Sequence, residues 1–77
     1  MKYNIGDLIM WIFPIDRPEV STIVKTYREF DGTLIYMLET IREDEGLFTE
    51  TFTELELNNI CDDNFNTAMA THYPVKE

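Results

Sequence analysis

The chain has 77 residues, of which 44% are hydrophobic and 13% aromatic; this composition indicates one small globular domain rather than a disordered chain. Fifteen Asp and Glu oppose six Lys and Arg, which gives a formal net charge of −9. Such an excess of acids argues against binding to DNA, RNA or an anionic membrane, because those surfaces require Lys and Arg to displace counterions.

The first predicted strand is the apolar run Leu8–Phe13, which is closed by Pro14. The run is too short to be a secretory signal, and a bilayer requires about 20 apolar residues. Cys61 is the single cysteine, so no internal disulfide can form, and we expect a reducing, cytoplasmic location.

Three further strands are predicted at Val20–Tyr27, Thr33–Leu38 and Leu47–Phe52, from their β-branched and aromatic residues. Asp31-Gly32 lies between the second and third strands and is a strong hairpin signal. The acidic segment 43–46 supplies the next turn. Four antiparallel strands joined by tight loops are therefore expected in the first 52 residues.

After Phe52 the sequence pattern changes from that of a strand to that of a helix. Thr53 and Glu56 have the spacing of a helical capping box, in which each side chain binds the backbone N–H of the other residue. We expect a single helical turn that ends near residues 58–59, anchored to the sheet by Phe52, Leu55 and Leu57. Ile60 and Cys61 are candidates for the start of a closing fifth strand.

The predicted domain comprises residues 1–61, and residues 62–77 form a C-terminal tail. Asp62 or Asp63 is suited to cap a short helix in that tail, with Phe65 and Met69 four residues apart on one side. Such a helix would pack on the domain. Pro74 would end it.

This order of elements resembles the SH3-like small β-barrels, a group that includes Tudor and KOW domains and many bacterial and phage accessory domains. The residues that carry the resemblance are 5–9 (Ile-Gly-Asp-Leu-Ile), 22–25 (Thr-Ile-Val-Lys), 34–38 (Leu-Ile-Tyr-Met-Leu) and 52–57 (Phe-Thr-Glu-Leu-Glu-Leu). The expected fold is mainly all-β: an SH3-like barrel of four or five antiparallel strands with one short helical turn and a C-terminal appendage. Such barrels bind proteins, peptides or nucleic acids and are seldom catalysts, so the resemblance implies a binding role.

Groups suited to catalysis or metal binding are few. Cys61 and His72 are the one cysteine and the one histidine of the chain, so they are the one possible Cys–His nucleophile–base pair. A histidine in the tail of so short a chain is, however, expected to be a solvated surface residue. No zinc spacing is present. Glu43, Asp44 and Glu45 lack the ligand pattern of a calcium loop, so a solvated hairpin tip is the favoured interpretation. We expect no enzyme activity, cofactor or metal.

The acidic residues are concentrated between Glu39 and Asp63, where nine acids accompany one base, Arg42. A partner protein with a basic surface could be attracted by this segment. The acids expected to take part are Glu43, Asp44, Glu45, Glu50, Glu54 and Glu56. An alternative is that these carboxylates imitate the phosphates of nucleic acid and inhibit a DNA- or RNA-binding protein.

The Leu8–Phe13 strand has no polar residue, so half of its side chains must point away from the core. Trp11 and Phe13 are therefore candidates for partner binding. The outward side chains are either covered by the tail or exposed as a contact patch. A further alternative is an aromatic cage for a methylated cation, made by Trp11, Tyr27, Tyr36 and Phe48, although a small core requires most of these rings.

The sequence thus predicts a non-catalytic module that binds a protein, engaged through its acidic surface, its apolar patch or both. Its small size also suits an accessory protein of a phage or mobile element. The alternatives are the nucleic-acid mimic and a structural homo-oligomer in which Leu8–Phe13 pairs with its copy.

Overall fold

Five β-strands and one α-helix are present in the computed structural model, which describes residues 3–12, 19–42, 44–61 and 69–75. In chain order the elements are β1 (Leu8–Trp11), β2 (Glu19–Arg28), β3 (Leu34–Arg42), β4 (Gly46–Thr53), α1 (Glu54–Cys61) and β5 (Ala70–Tyr73). The mainly β fold class and the four N-terminal strands are therefore confirmed, with bounds within a few residues of those predicted.

The strands form a single antiparallel sheet in the order β4-β3-β2-β1-β5. Strand β1 lies between two neighbours, with Ile9 opposite Ser21 of β2 and opposite His72 of β5. Because residues 8–11 are paired on both sides, they have no free backbone edge. Residues 8–11 therefore cannot pair edge to edge with a second copy, as the alternative of a homo-oligomer through this strand required.

The C-terminal part of the chain completes the sheet. Ala70–Tyr73, which was assigned to the appendage, is the edge strand β5. The fifth strand expected at Ile60 and Cys61 is wrong, because both residues complete α1. The short helix considered for the tail, with Phe65 and Met69 on one side, lies outside the described residues as far as residue 68, and the residues from Met69 to Tyr73 are not helical.

Helix α1 begins at the predicted capping box. The backbone N–H of Thr53 donates to Glu56 Oε1 at 2.8 Å, and the backbone N–H of Glu56 donates to Thr53 Oγ1 at 3.1 Å. These two bonds satisfy donors that an uncapped helix would leave to water. The helix continues to Cys61 and is longer than the single turn expected.

The core lies on one face of the sheet, here called the inner face, beneath α1. Its buried members come from the segment before β1, from β1, β2, β3 and β5, and from the helix: Tyr3, Ile9, Ile23, Tyr36, Leu38, Leu57 and Ala70. Alternation along the strands then places the intervening side chains on the opposite, outer face.

Leu57 is the helical residue that anchors α1, and it is fully buried. Leu55 is 69% exposed, so its predicted role as an anchor is wrong. The reason is geometric, since residues two apart on an α-helix point about 200° apart and cannot both face the same core.

Candidate functional site

The acidic residues selected from the sequence lie at three separate places. Asp44 and Glu45 are exposed in the turn between β3 and β4, whereas Glu43 lies outside the described residues. Glu50 is half-buried on β4, opposite Leu38 on the inner face. The remaining two, Glu54 and Glu56, are in the first turn of α1.

Strand β4 lies between the acids of the turn, Asp44 and Glu45, and the acids of the helix, Glu54 and Glu56. It runs from Gly46, beside the turn, to Thr53, beside the helix. At a rise of about 3.3 Å per residue, its ends are about 23 Å apart. The acids of the turn and of the helix therefore do not converge on one small spot.

Several acids also have partners within the chain. Arg42 Nε donates to Glu19 Oε2 at 2.5 Å, and Arg42 Nη1 donates to Glu45 Oε2 at 3.1 Å. The hydrogen bonds to Glu19 and then to Glu45 hold the pKa of the Arg42 guanidinium above its ordinary value. The base nearest the turn is thus already engaged by this chain's own carboxylates.

Trp11 lies on the inner face rather than among the outward side chains. It is half-buried, its ring centroid is 6.1 Å from that of Phe52, and its Nε1–H donates to Ser21 Oγ at 2.8 Å. Ser21 in turn shares a short hydrogen bond with the buried hydroxyl of Thr40. Trp11 is therefore held by the core, and Phe13 lies outside the described residues.

The four rings considered for an aromatic cage do not meet. Tyr36 is fully buried in the core. Tyr27 pairs with Ile35 on the outer face, opposite the face that carries Trp11. Phe48 already stacks with a cation of this chain, since the Arg42 guanidinium carbon is 4.0 Å from its ring centroid. These positions do not support the cage.

The outer face carries an exposed line of apolar side chains across four strands. Met10 pairs with Val20, Ile41 pairs with Leu47, and one further step in the β2–β3 register places Val20 beside Ile41. We call these four residues the outer apolar row. Their exposed fractions are Met10 41%, Val20 44%, Ile41 81% and Leu47 60%.

The surroundings of the row are also poor in charge. Leu8 and Tyr73 pair with each other beside it and are 39% and 47% exposed. Among the described strand positions of the outer face, Lys25 and Glu39 are the charged residues. Of the tail, the described strand β5 lies edgewise beside β1 in the sheet rather than over its outer face.

Sequence reasoning missed a polar cluster where β1 meets the C-terminus. Asp7 is fully buried and accepts the backbone N–H of Asn4 at 2.9 Å and that of Val75 at 2.8 Å. His72 Nε2 is 2.7 Å from Asp7 Oδ2, and the His72 side chain is 16% exposed. The expectation of a solvated His72 is therefore wrong. No local signal connects residues 65 positions apart.

The Asp7 carboxylate is stabilised in its charged form. Burial alone raises its pKa, but the hydrogen bonds from Val75, His72 and Asn4 outweigh burial and lower the pKa below the ordinary value of 3.8. An ionised carboxylate can only accept hydrogen bonds, so Nε2 of His72 carries the shared proton. The cluster joins both ends of the described chain and is structural in character.

Tyr3 packs against the same cluster. Its ring lies edge-on to His72 at 4.7 Å and to Tyr36 at 5.5 Å, and its hydroxyl donates to Asn58 Oδ1 at 2.7 Å. Burial, followed by the nearby charges of Cys61 and Glu54, raises the pKa of Tyr3 to about 12. The phenol thus stays protonated at neutral pH and links the N-terminal segment to α1.

We expect no saturable binding to mixed-sequence DNA or RNA at moderate salt. The described residues include three bases. Arg42 is paired with acids, Arg28 donates to the carbonyl of Gly32, and the Lys25 ammonium lies near the ring of Tyr27. A basic stripe, which phosphate binding requires, is missing from this part of the chain. An anisotropy titration tests this, and saturable micromolar binding would contradict it.

The described ranges contain no group of three or more His, Cys, Asp or Glu side chains suited to a metal ion. They also contain no helix long and apolar enough to cross a membrane.

Comparison with protein-family models, with curated proteins and with solved structures finds no match to this chain. Its function therefore has to be inferred from its own geometry and chemistry.

Proposed function

We propose that this protein is a non-catalytic module that binds another protein through the outer apolar row. The observation that carries the proposal is the exposure of Met10, Val20, Ile41 and Leu47 on a face that is nearly free of charge. The solvated face of an antiparallel sheet is ordinarily polar. Contiguous exposed apolar side chains on such a face are typical of interaction sites.

The charge distribution adds to this proposal. The described strand positions of the outer face carry one acid and one base, whereas the whole chain has fifteen acids and six bases. Asp44 and Glu45 are exposed at one end of the row, next to the Ile41–Leu47 pair. We infer a partner with an apolar contact surface and basic residues at its margin, since opposite charges accelerate association.

The order of elements supports the SH3-like resemblance as part of the same proposal. The helix precedes the last strand, and that strand pairs with the first, as in a small barrel of this kind. Barrels of that group act mainly as binding modules, which agrees with a role in protein binding.

The test is affinity capture from cells that make the protein, with matched variants. We expect Ile41→Thr combined with Leu47→Thr to lose a specific bound protein, because threonine keeps the strand preference and removes the apolar contact. Leu55→Gln is the control, since the exposure of Leu55 lies between those of Ile41 and Leu47 but Leu55 is on α1. Circular dichroism should show unchanged folding in both variants.

Capture that is equal with the row variant and the control would contradict the proposal. The double variant Asp44→Lys with Glu45→Lys distinguishes binding through the outer apolar row from the nucleic-acid mimic. If that charge variant alone abolishes binding, and the captured protein is one that binds nucleic acid, mimicry replaces the apolar interface.

A further inference from the structure

Phe30 is the most exposed large apolar side chain among the described residues. It lies at the tip of the β2–β3 hairpin, and its relative exposure is 113%, so the ring contacts almost nothing in its own chain. An isolated exposed apolar residue on a strand or helix is ordinary. A whole phenyl ring at the end of a projecting hairpin presents far more surface to a partner.

The hairpin tip is held rigidly without help from the ring. The N–H of Gly32 donates to the carbonyl of Glu29 at 2.9 Å, and the N–H of Glu29 donates to the carbonyl of Thr33 at 2.9 Å. Two side chains add to this, with Thr33 N–H donating to Asp31 Oδ1 at 2.9 Å and Arg28 Nη1 donating to the Gly32 carbonyl at 2.8 Å.

Gly32 completes the turn. Its φ is 88°, in the left-handed region that glycine adopts without strain. The backbone on either side of Phe30 is therefore fixed before any partner arrives. Pre-organisation of this kind lowers the entropic cost of binding, and buried aromatic anchors dominate the energy of many protein interfaces.

The charges beside the ring define the kind of pocket it fits. Glu29 and Asp31 are exposed on either side of Phe30. The nearby base, Arg28, donates a hydrogen bond to the Gly32 carbonyl, and two carboxylates against one guanidinium leave the tip net negative. The two carboxylates disfavour an anionic membrane or a nucleic acid, because both carry negative charge.

We propose that the hairpin tip is a second interaction site, in which Phe30 inserts into an apolar pocket of another protein whose rim carries Lys or Arg. The site is separate from the outer apolar row. Val20 and Phe30 are ten positions apart along β2 and its turn, which corresponds to at most about 33 Å. Val20 lies at the open end of the β2–β3 hairpin and Phe30 lies at its tip, so the two sites can be tested by separate substitutions.

The experiment places a photoreactive phenylalanine analogue at position 30 of the full chain, in cells that make the protein. Irradiation should give one discrete adduct with another protein, and peptide mapping should locate the bond in an apolar pocket bordered by Lys or Arg. The same analogue at position 55, on the exposed side of α1, is the matched control and should give no such adduct.

Purified variants then measure the contribution of the ring with the cross-linked protein as the probe. Phe30→Ser should weaken binding at least tenfold, and Phe30→Tyr should retain most of it, with no change in melting temperature for either variant. Four results would overturn the proposal: no adduct, equal adducts at both positions, an adduct with a second copy of this chain, or an adduct with lipid or nucleic acid. Variants that abolish binding through the outer apolar row should leave the adduct at position 30 unchanged.

Discussion

Leu57→Ala is expected to destabilise the protein more than any other single truncation in α1. The side chain is fully buried in the core cluster that also contains Tyr3 and Tyr36. Truncation of a buried leucine removes favourable burial and leaves a cavity, at a cost of about 2–5 kcal/mol. In a domain of this size, that cost lowers the melting temperature by at least about 8 °C.

Leu55→Ala is the matched control, because it makes the same chemical change two residues away on the same helix. Leu55 is 69% exposed, so its truncation should change the stability by no more than about 0.5 kcal/mol. Thermal denaturation followed by circular dichroism compares the two variants. Equal melting temperatures would show that α1 does not dock through Leu57.

Much of the fold could be predicted because its signals are local. The β2–β3 hairpin follows from Asp31-Gly32, and the start of α1 follows from the reciprocal bonds of Thr53 and Glu56. Each of these signals acts over two to four residues, so one sequence contains all the required information.

The orientation of the side chains was less accessible to sequence reasoning. The apolar run at Leu8 correctly indicated that half of β1 faces outward, but only the register determines which half. The buried residues Ile9 and Ala70 fix that register and turn Met10 outward, while Trp11 faces the core. The outer apolar row could not be assembled beforehand, because it combines residues from four strands.

Strand β5 and the Asp7 cluster could not be predicted for a related reason. Ala70–Tyr73 has no strong strand pattern of its own and is ordered by its pairing with β1. The partners of Asp7 are separated from it by as many as 68 residues. Contacts of that range depend on the completed fold and leave no local trace in the sequence.

Asp7→Asn should produce the second large loss of stability. Both carboxylate oxygens accept a backbone N–H, Oδ2 from Asn4 and Oδ1 from Val75. In either orientation, an asparagine side chain must direct its NH₂ group at one of these donors. The variant thus weakens the hydrogen bond between the buried carboxylate and His72 and leaves a buried donor unsatisfied, which we expect to cost about 3 kcal/mol.

The loss should depend on pH in a defined direction. The pKa of Asp7 is lower in the folded protein than its ordinary value of 3.8, so the unfolded chain binds the proton more readily. The stabilisation is therefore complete above about pH 5 and is lost as the pH falls through the folded pKa. Urea unfolding of wild type and Asp7→Asn at several pH values should show a stability difference that narrows as the pH falls through this acid range. Asp31→Asn, at an exposed carboxylate in the hairpin, is the control and should remain close to wild type at neutral pH. A difference that stays constant down to the lowest pH would mean that Asp7 is not the charged acceptor that joins β1 to the C-terminal segment.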